Sequence, residues 1–371
     1  MKIGILGTRG IPNSYGGFEQ FAEHLAKGLV EKGFSVVVYN SSLHTYKQNE
    51  WNGVEIIHSY DPEGMIGTAG QFIYDFNCLR DAQKRNFDIL LHLGYTSSSI
   101  WYKFWPKNAL NIVNMDGLEW KRSKYNRLTQ RFLKWAESLA VKKADILIAD
   151  SKGIQNYINI RYKKSAHFIA YGAEIPLYYA KDRLTEFDLS PFEYYLVVAR
   201  MEPENNIEMI IQGYLLSIKK YPLIIIGGTK NRFGEYLARR YASASIRFPG
   251  AIYDSELINS IRHFSALYFH GHSVGGTNPS LLEAMACECK IVANDNEFNR
   301  AILNQQASYF SNPDEVRNII DEPTDEAISL TRRNINIEKI KKIYTWENIN
   351  NDYEKVFQKA IEKRKQQSGR I

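Results

Sequence analysis

Short β-branched and aliphatic runs alternate with amphipathic stretches along nearly the whole chain, which restricts it to parallel α/β architecture. A first series predicts strands over 2–6, 35–39, 54–58, 88–92, 110–114, 145–149 and 167–170, with helices over 18–32, 69–85, 120–142 and 152–161. A charged, less regular stretch, 173–190, separates it from a second series. There the strands fall at 195–199, 223–226, 246–248, 266–269 and 291–293, and the helices at 207–219, 233–242, 255–263 and 279–285. At 371 residues the chain can build two cores, so two Rossmann-like domains are expected, 1–175 and 190–345. Ligands of such sheets bind beyond the carboxyl ends of the strands. That singles out the loops after Leu6, Asn114, Ala199, Ile226 and Phe269.

Composition narrows the class. Hydrophobic residues at 44% and charged residues at 24% suit a globular protein, and no apolar run approaches the roughly 20 residues that span a bilayer. The start, Met1 to Gly7, reads as a strand rather than a secretory leader, and three cysteines offer no disulfide framework, so a reducing cytosol is expected. The formal charge of +6 is local: between Leu118 and Lys143 eight Lys or Arg stand against two Glu. That segment suits an anionic membrane surface, and no nucleic-acid module is present.

The stretch His272 to Ala286 carries the most chemistry. Asn278 suits a helix cap and Pro279 the first helical position. The amides of Ser280, Leu281 and Leu282 are then expected to face an anion, with Glu283 one turn on to accept from hydroxyls. Diphosphate plus sugar hydroxyls is what a nucleotide-sugar presents. Arg200, ending a strand, suits bidentate contact with a diphosphate; pairing with a neighbouring Glu is the plainer alternative. Lys230, after Gly227-Gly228-Thr229, can reach the same charge, as can Arg9. Gly16-Gly17 before a helix allows close approach of an anion or a sugar, or is simply a turn. Asp116 and Glu119 at a strand's carboxyl end can hold an acceptor hydroxyl, though Asp116 alone also suits a cap. Leu128, Phe132, Trp135 and Leu139 form a helical stripe expected to face the core. Arg127, Arg131 and Lys134 flank it, forming either a solvated face or a row for anionic lipid, and Trp101 to Trp105 adds aromatic weight to the lipid reading. His270, His272, Cys287 and Cys289 lack partners at metal-ligand spacing.

Taken together these residues resemble the retaining GT-B glycosyltransferases of family 4. The resemblance rests on the Gly-rich first loop, Arg200 with its Pro-Glu-Asn entry, the helix start at Asn278 with Glu283, and Tyr344-Thr345-Trp346-Glu347. It implies two Rossmann-like domains facing a central crevice, the first for the acceptor and the second for the nucleotide-sugar, with a helix over 346–371 crossing back to the first domain. Gly7-Thr8-Arg9-Gly10-Ile11-Pro12, Tyr15-Gly16-Gly17-Phe18-Glu19 and Asp116 to Arg122 are similar to a subgroup of bacterial rhamnosyltransferases of surface-polysaccharide synthesis. These move L-rhamnose from dTDP-rhamnose to a lipid-diphosphate-linked saccharide. Other readings are a UDP- or GDP-linked hexose as donor, a sugar-nucleotide epimerase, or a non-catalytic nucleotide-sugar sensor.

Residue chemistry and the resemblance together make Asp116, Arg200 and Glu119 the catalytic candidates. Gly16, Gly17, Arg200, Lys230, Gly275, Gly276, Thr277, Asn278, Ser280, Leu281 and Glu283 are the donor-binding candidates, with Glu283 at the position that the family places on the nucleotide's ribose. The resemblance implies transfer with retention, no metal and no cofactor. The expected location is cytoplasmic, peripheral on the inner face of the membrane through the 118–143 segment. Two positions depart from the family: Gly275 stands where its first acidic residue belongs, and Asn205 replaces a Lys.

Overall fold

The computed structural model describes residues 1–14, 16–115, 117–122, 125–218 and 221–368. Two compact units emerge, one of 1–120, 126–172 and 346–371, the other of 121–125 and 173–345.

The first unit is built on β1 (Lys2–Leu6), β2 (Ser35–Ser41), β3 (Glu50–Trp51), β4 (Val54–Ser59), β5 (Ile89–Leu93), β6 (Leu110–Asn114), β7 (Ile146–Ala149) and β8 (His167–Phe168). Their order is β3-β4-β2-β1-β5-β6-β7-β8, parallel throughout except for the β3–β4 pair. Central strands such as β1 and β5 are apolar on both faces because helices cover both, and Ile3, Ile5, Ile89 and Leu91 are fully buried. The helix Trp346–Ser368 belongs to this unit and packs on the helix Gly17–Glu31. Trp346 stacks on His24 at 4.3 Å, Tyr353 meets Phe21 at 5.4 Å, and Asn114 Nδ2 donates to the Tyr353 hydroxyl at 3.1 Å.

Two readings of this unit are corrected. The segment 120–142 is not one helix: a short turn, Glu119–Lys121, precedes the helix Arg127–Lys143. On that helix the stripe expected in the core faces outward, with Leu128, Phe132 and Trp135 exposed by 74, 37 and 51%. Leu133, Ala136, Glu137 and Ala140 take the inner face instead. The reason is polar. Buried Glu137 accepts from Trp120 Nε1 at 2.9 Å and from the hydroxyls of Tyr157 and Tyr162 at 2.8 and 2.6 Å, which sets the helix's rotation. The aromatic run 101–105 turns inward: Trp105 is buried, and Trp101 packs on Phe76 and donates its Nε1 to the Phe72 carbonyl at 2.9 Å.

The second unit holds β9 (Tyr195–Val198), β10 (Leu223–Ile226), β11 (Ile246–Gly250), β12 (Leu267–His270), β13 (Ile291–Asn294) and β14 (Ser308–Phe310), all parallel in the order β11-β10-β9-β12-β13-β14. Helices Ile207–Leu216, Arg232–Tyr241 and Ser255–His263 connect the strands close to their sequence-read bounds. Unread in the sequence were β14 and the helices Glu297–Leu303, Pro313–Asp321 and Glu326–Lys339. Each of those helices begins at a side-chain cap, Asn296, Asn312 or Asp325.

Candidate functional site

In the second sheet β9 pairs with β10 on one flank and β12 on the other, so the carboxyl ends of β9 and β12 flank the point where strand order reverses. Three loops are bound together there. Ser273 donates its amide and its hydroxyl to the Glu204 carbonyl at 3.0 and 2.8 Å. Asn206 Nδ2 donates to the Gly271 carbonyl, and Asn231 Nδ2 to that of Met201, both at 2.8 Å. A Cβ on Gly271 would stand 2.0 Å from the Asn205 carbonyl oxygen, so the loops meet only because position 271 is glycine.

Arg200 rises from this frame, exposed, and among the described residues no carboxylate pairs with its guanidinium. Asn205, at the family's Lys position, instead supports the loop by donating Nδ2 to the Arg200 carbonyl at 2.7 Å. Lys230 is exposed after β10, also without an ion pair among the described residues.

Across from Arg200 in the frame runs the loop His272 to Asn278. Gly275 has φ +137°, with no atom within 4 Å of where a Cβ would stand, while Thr277 is buried. Asn278 caps the helix Pro279–Ala286, and here one expectation fails. Its Oδ1 accepts from both the amide and the hydroxyl of Ser280 at 3.0 Å, and its carbonyl accepts from the amides of Leu281 and Leu282 at 3.1 and 3.3 Å. The three amides expected to face an anion are thus closed within the cap, and the Leu281 side chain lies in the core. The donors that remain lie earlier, at Gly275 and Gly276, whose amides no described residue accepts.

Glu283 is held from behind by Arg262. The pair is hydrogen bonded, with Arg262 only 5% exposed and Glu283 21%. Arg262 is fixed in turn by Asn259 Oδ1 at 3.0 Å. That ion pair left no mark in sequence spacing, since the two residues sit on separate helices.

Sequence reasoning also undervalued His270 and His272. Their rings stack at 4.4 Å, and neither ring nitrogen of His270 has a hydrogen-bond partner among the described residues. Burial holds the His270 pKa down at about 3. His272 is driven well below its ordinary value by burial first, then by His270, Arg200 and Arg122. Both rings are therefore neutral beside Arg200. Glu204, buried in the same loop frame, has Arg122 at 3.6 Å. The signal available was a His-x-His spacing at the end of a buried strand.

In the first unit the loop after β1 is organised by buried Glu19, which accepts the Thr8 hydroxyl at 3.2 Å and the Arg9 amide at 2.9 Å. Arg9 pairs with Glu63 through two bonds of 2.9 and 2.7 Å, which engage the Nε and Nη2 of its guanidinium. Gly16 precedes the helix Gly17–Glu31 in extended conformation with no side-chain cap. Glu119 is part-buried; its amide donates to the Tyr95 hydroxyl at 3.3 Å. Asp116 lies outside the described residues, as does Tyr15. Arg200, Lys230, Gly275, Gly276, Thr277, Asn278, Ser280, Leu281 and Glu283 thus gather at one sheet edge of the second unit, whereas Gly16, Gly17 and Glu119 belong to the first. Among the described residues no three His, Cys, Asp or Glu side chains are grouped to hold a metal ion.

Residues 188–331 match the family of glycosyl transferases group 1, and residues 1–174 match a domain of unknown function, DUF1972. Over 395 aligned positions the chain is 24% identical to an uncharacterized glycosyltransferase of Methanocaldococcus jannaschii, covering 93% of this chain and 95% of that one. Its fold is shared with sucrose-phosphate synthase from Thermosynechococcus elongatus, at a TM-score of 0.77 and 15% identity over 96% of this chain and 98% of the other. It is shared too with Anabaena HepE, solved with UDP and glucose, at a TM-score of 0.72 and 15% identity over 97% and 100%. The two parallel sheets are those of the GT-B glycosyltransferases.

Proposed function

We propose that this chain is a retaining glycosyltransferase of family 4 that moves L-rhamnose from dTDP-rhamnose to a lipid-diphosphate-linked saccharide in cell-surface polysaccharide synthesis. The observation that carries the donor side is Arg200, an exposed guanidinium at the sheet's reversal point, with no carboxylate paired to it among the described residues. Charge developing on the leaving diphosphate is met by Arg200, by Lys230 and by the Gly275 and Gly276 amides, all in place before the reaction begins. Glu283, oriented by Arg262, accepts from the ribose hydroxyls. The acceptor oxygen bonds to the anomeric carbon on the face that the phosphate leaves, the bond from that carbon to the phosphate oxygen breaks, and the acceptor proton passes to the departing phosphate. No metal or other cofactor takes part. Asp116 and Glu119 orient the acceptor.

At the sugar end Gly275 and the open space beside it replace the family's acidic side chain, which suits a 6-deoxy sugar with one hydroxyl fewer. The likeness to HepE, solved with UDP and glucose, supports a UDP-hexose as the alternative donor.

The protein works on the inner face of the membrane in this reading. Outward-facing Leu128, Phe132 and Trp135, with Arg127, Arg131 and Lys134 on the same helix, support it. No described helix is long and apolar enough to cross a membrane.

The test is transfer itself. Purified protein, dTDP-rhamnose and a lipid-diphosphate-linked saccharide are expected to give an extended lipid-linked product that keeps the donor's anomeric configuration, and nothing without acceptor. Inversion, acceptor-free conversion of the nucleotide-sugar, or no product with rhamnose, glucose or mannose donors overturns the reading.

A further inference from the structure

The second unit contains a cavity of about 530 Å³ at the amino ends of its strands, the edge opposite the loops of the candidate site. Tyr195, Leu267, Ile291 and Ser308, at the starts of β9, β12, β13 and β14, line it. The helices Pro313–Asp321 and Glu326–Lys339 close it with Ile320 and Arg332 among others. That volume lies within the range of small-molecule sites, on the order of 300–1,000 Å³, and the walls are mostly aliphatic and aromatic.

The charged groups among its described lining residues are of one sign. Lys290, Arg332 and Arg333 line the cavity, and among the described residues no carboxylate does. Glu326, outside the lining, pairs with both Lys290 and Arg333. Among the described residues Arg332 has only neutral partners, donating to Ser308 Oγ at 3.3 Å and Thr324 Oγ1 at 3.4 Å. Buried Arg333 Nε has no hydrogen-bond acceptor among the described residues. A planar donor held by two long bonds to hydroxyls, beside a buried donor without an acceptor among the described residues, has donor capacity that suits an anionic head group.

We propose that this cavity binds an amphipathic anion, an apolar body seated among Tyr195, Leu267, Ile291 and Ile320 with its carboxylate or phosphate head on Arg332. The site is separate from the nucleotide loops, so its ligand does not compete with donor. Because it rests on the cavity alone, it stands or falls independently of the proposed transferase activity.

Calorimetric titration of the full chain with decanoate, decyl phosphate and decan-1-ol tests this. At least one anion is expected to bind one-to-one and at least about tenfold more tightly than the alcohol, the worth of a charge-assisted bond. The preferred anion identifies the head group. Arg332→Met should erase that preference, and saturating UDP should leave it unchanged. The wild-type comparison with the alcohol holds even if the variant fails to fold. Absence of saturable anion binding, equal binding of alcohol and anions, or displacement by UDP overturns the proposal.

Discussion

A carboxylate at position 275 would sit on backbone with φ +137°, a region that costs a residue with a Cβ on the order of 1–3 kcal/mol. Gly275 therefore holds a backbone conformation that an acidic residue would strain. Gly275→Glu is expected to lower stability by about 1–3 kcal/mol in urea melts and to leave nucleotide-sugar affinity no better than wild type. Tighter binding at unchanged stability would show that the loop accepts the acid. His270 yields a second expectation. Both folded and unfolded forms are neutral above the ordinary value of 6.5, so the group has no effect there. Between 6.5 and about 3 the unfolded chain takes up a proton that burial denies the native ring, so stability falls as pH falls. His270→Phe should flatten the stability–pH curve below pH 6.5 by about 1.4 kcal/mol per unit relative to wild type. Parallel curves would place an acceptor or water on the ring.

The helix Arg127–Lys143 shows how a periodic stripe misleads when a buried polar residue competes for the inner face. Leu128, Phe132 and Trp135 have the right spacing for a core, but Glu137 must satisfy three donors and so faces inward. An outward apolar and basic face remains. Trp135→Ser combined with Phe132→Ser should abolish sedimentation with vesicles rich in anionic lipid while leaving the melting curve near wild type, since both side chains are exposed. Unchanged sedimentation of the double variant would remove this helix from the membrane reading. The cap at Asn278 carries a related lesson. Asn-Pro correctly marked the helix start, yet the same side chain that marks it consumes the amides a ligand would need.

At the scale of the molecule, strands buried on both faces were the legible part, because near-continuous apolar runs such as Leu223–Ile226 admit few other readings. The polar-rich stretch from Glu297 to Lys339 was not read. Its helices bury little, only Val316 and Ile320 in the case of Pro313–Asp321, so their caps were the stronger signal. The loop tips of the candidate site were legible as residue types, Arg200, the glycines and Glu283. Their mutual bonding was not, since Arg262–Glu283 and Glu204–Ser273 join segments far apart in sequence. What the two sheets and these loops amount to is decided by whether the carboxyl edge of the second sheet holds a nucleotide-sugar through Arg200. Titration of dTDP-rhamnose and UDP-glucose into the full chain and into Arg200→Ala measures this directly. One-to-one binding to the full chain, at least about tenfold weaker in a variant that melts like wild type, is the expected result. Equal affinity in the two proteins, or no binding of either nucleotide-sugar to the full chain, would contradict it.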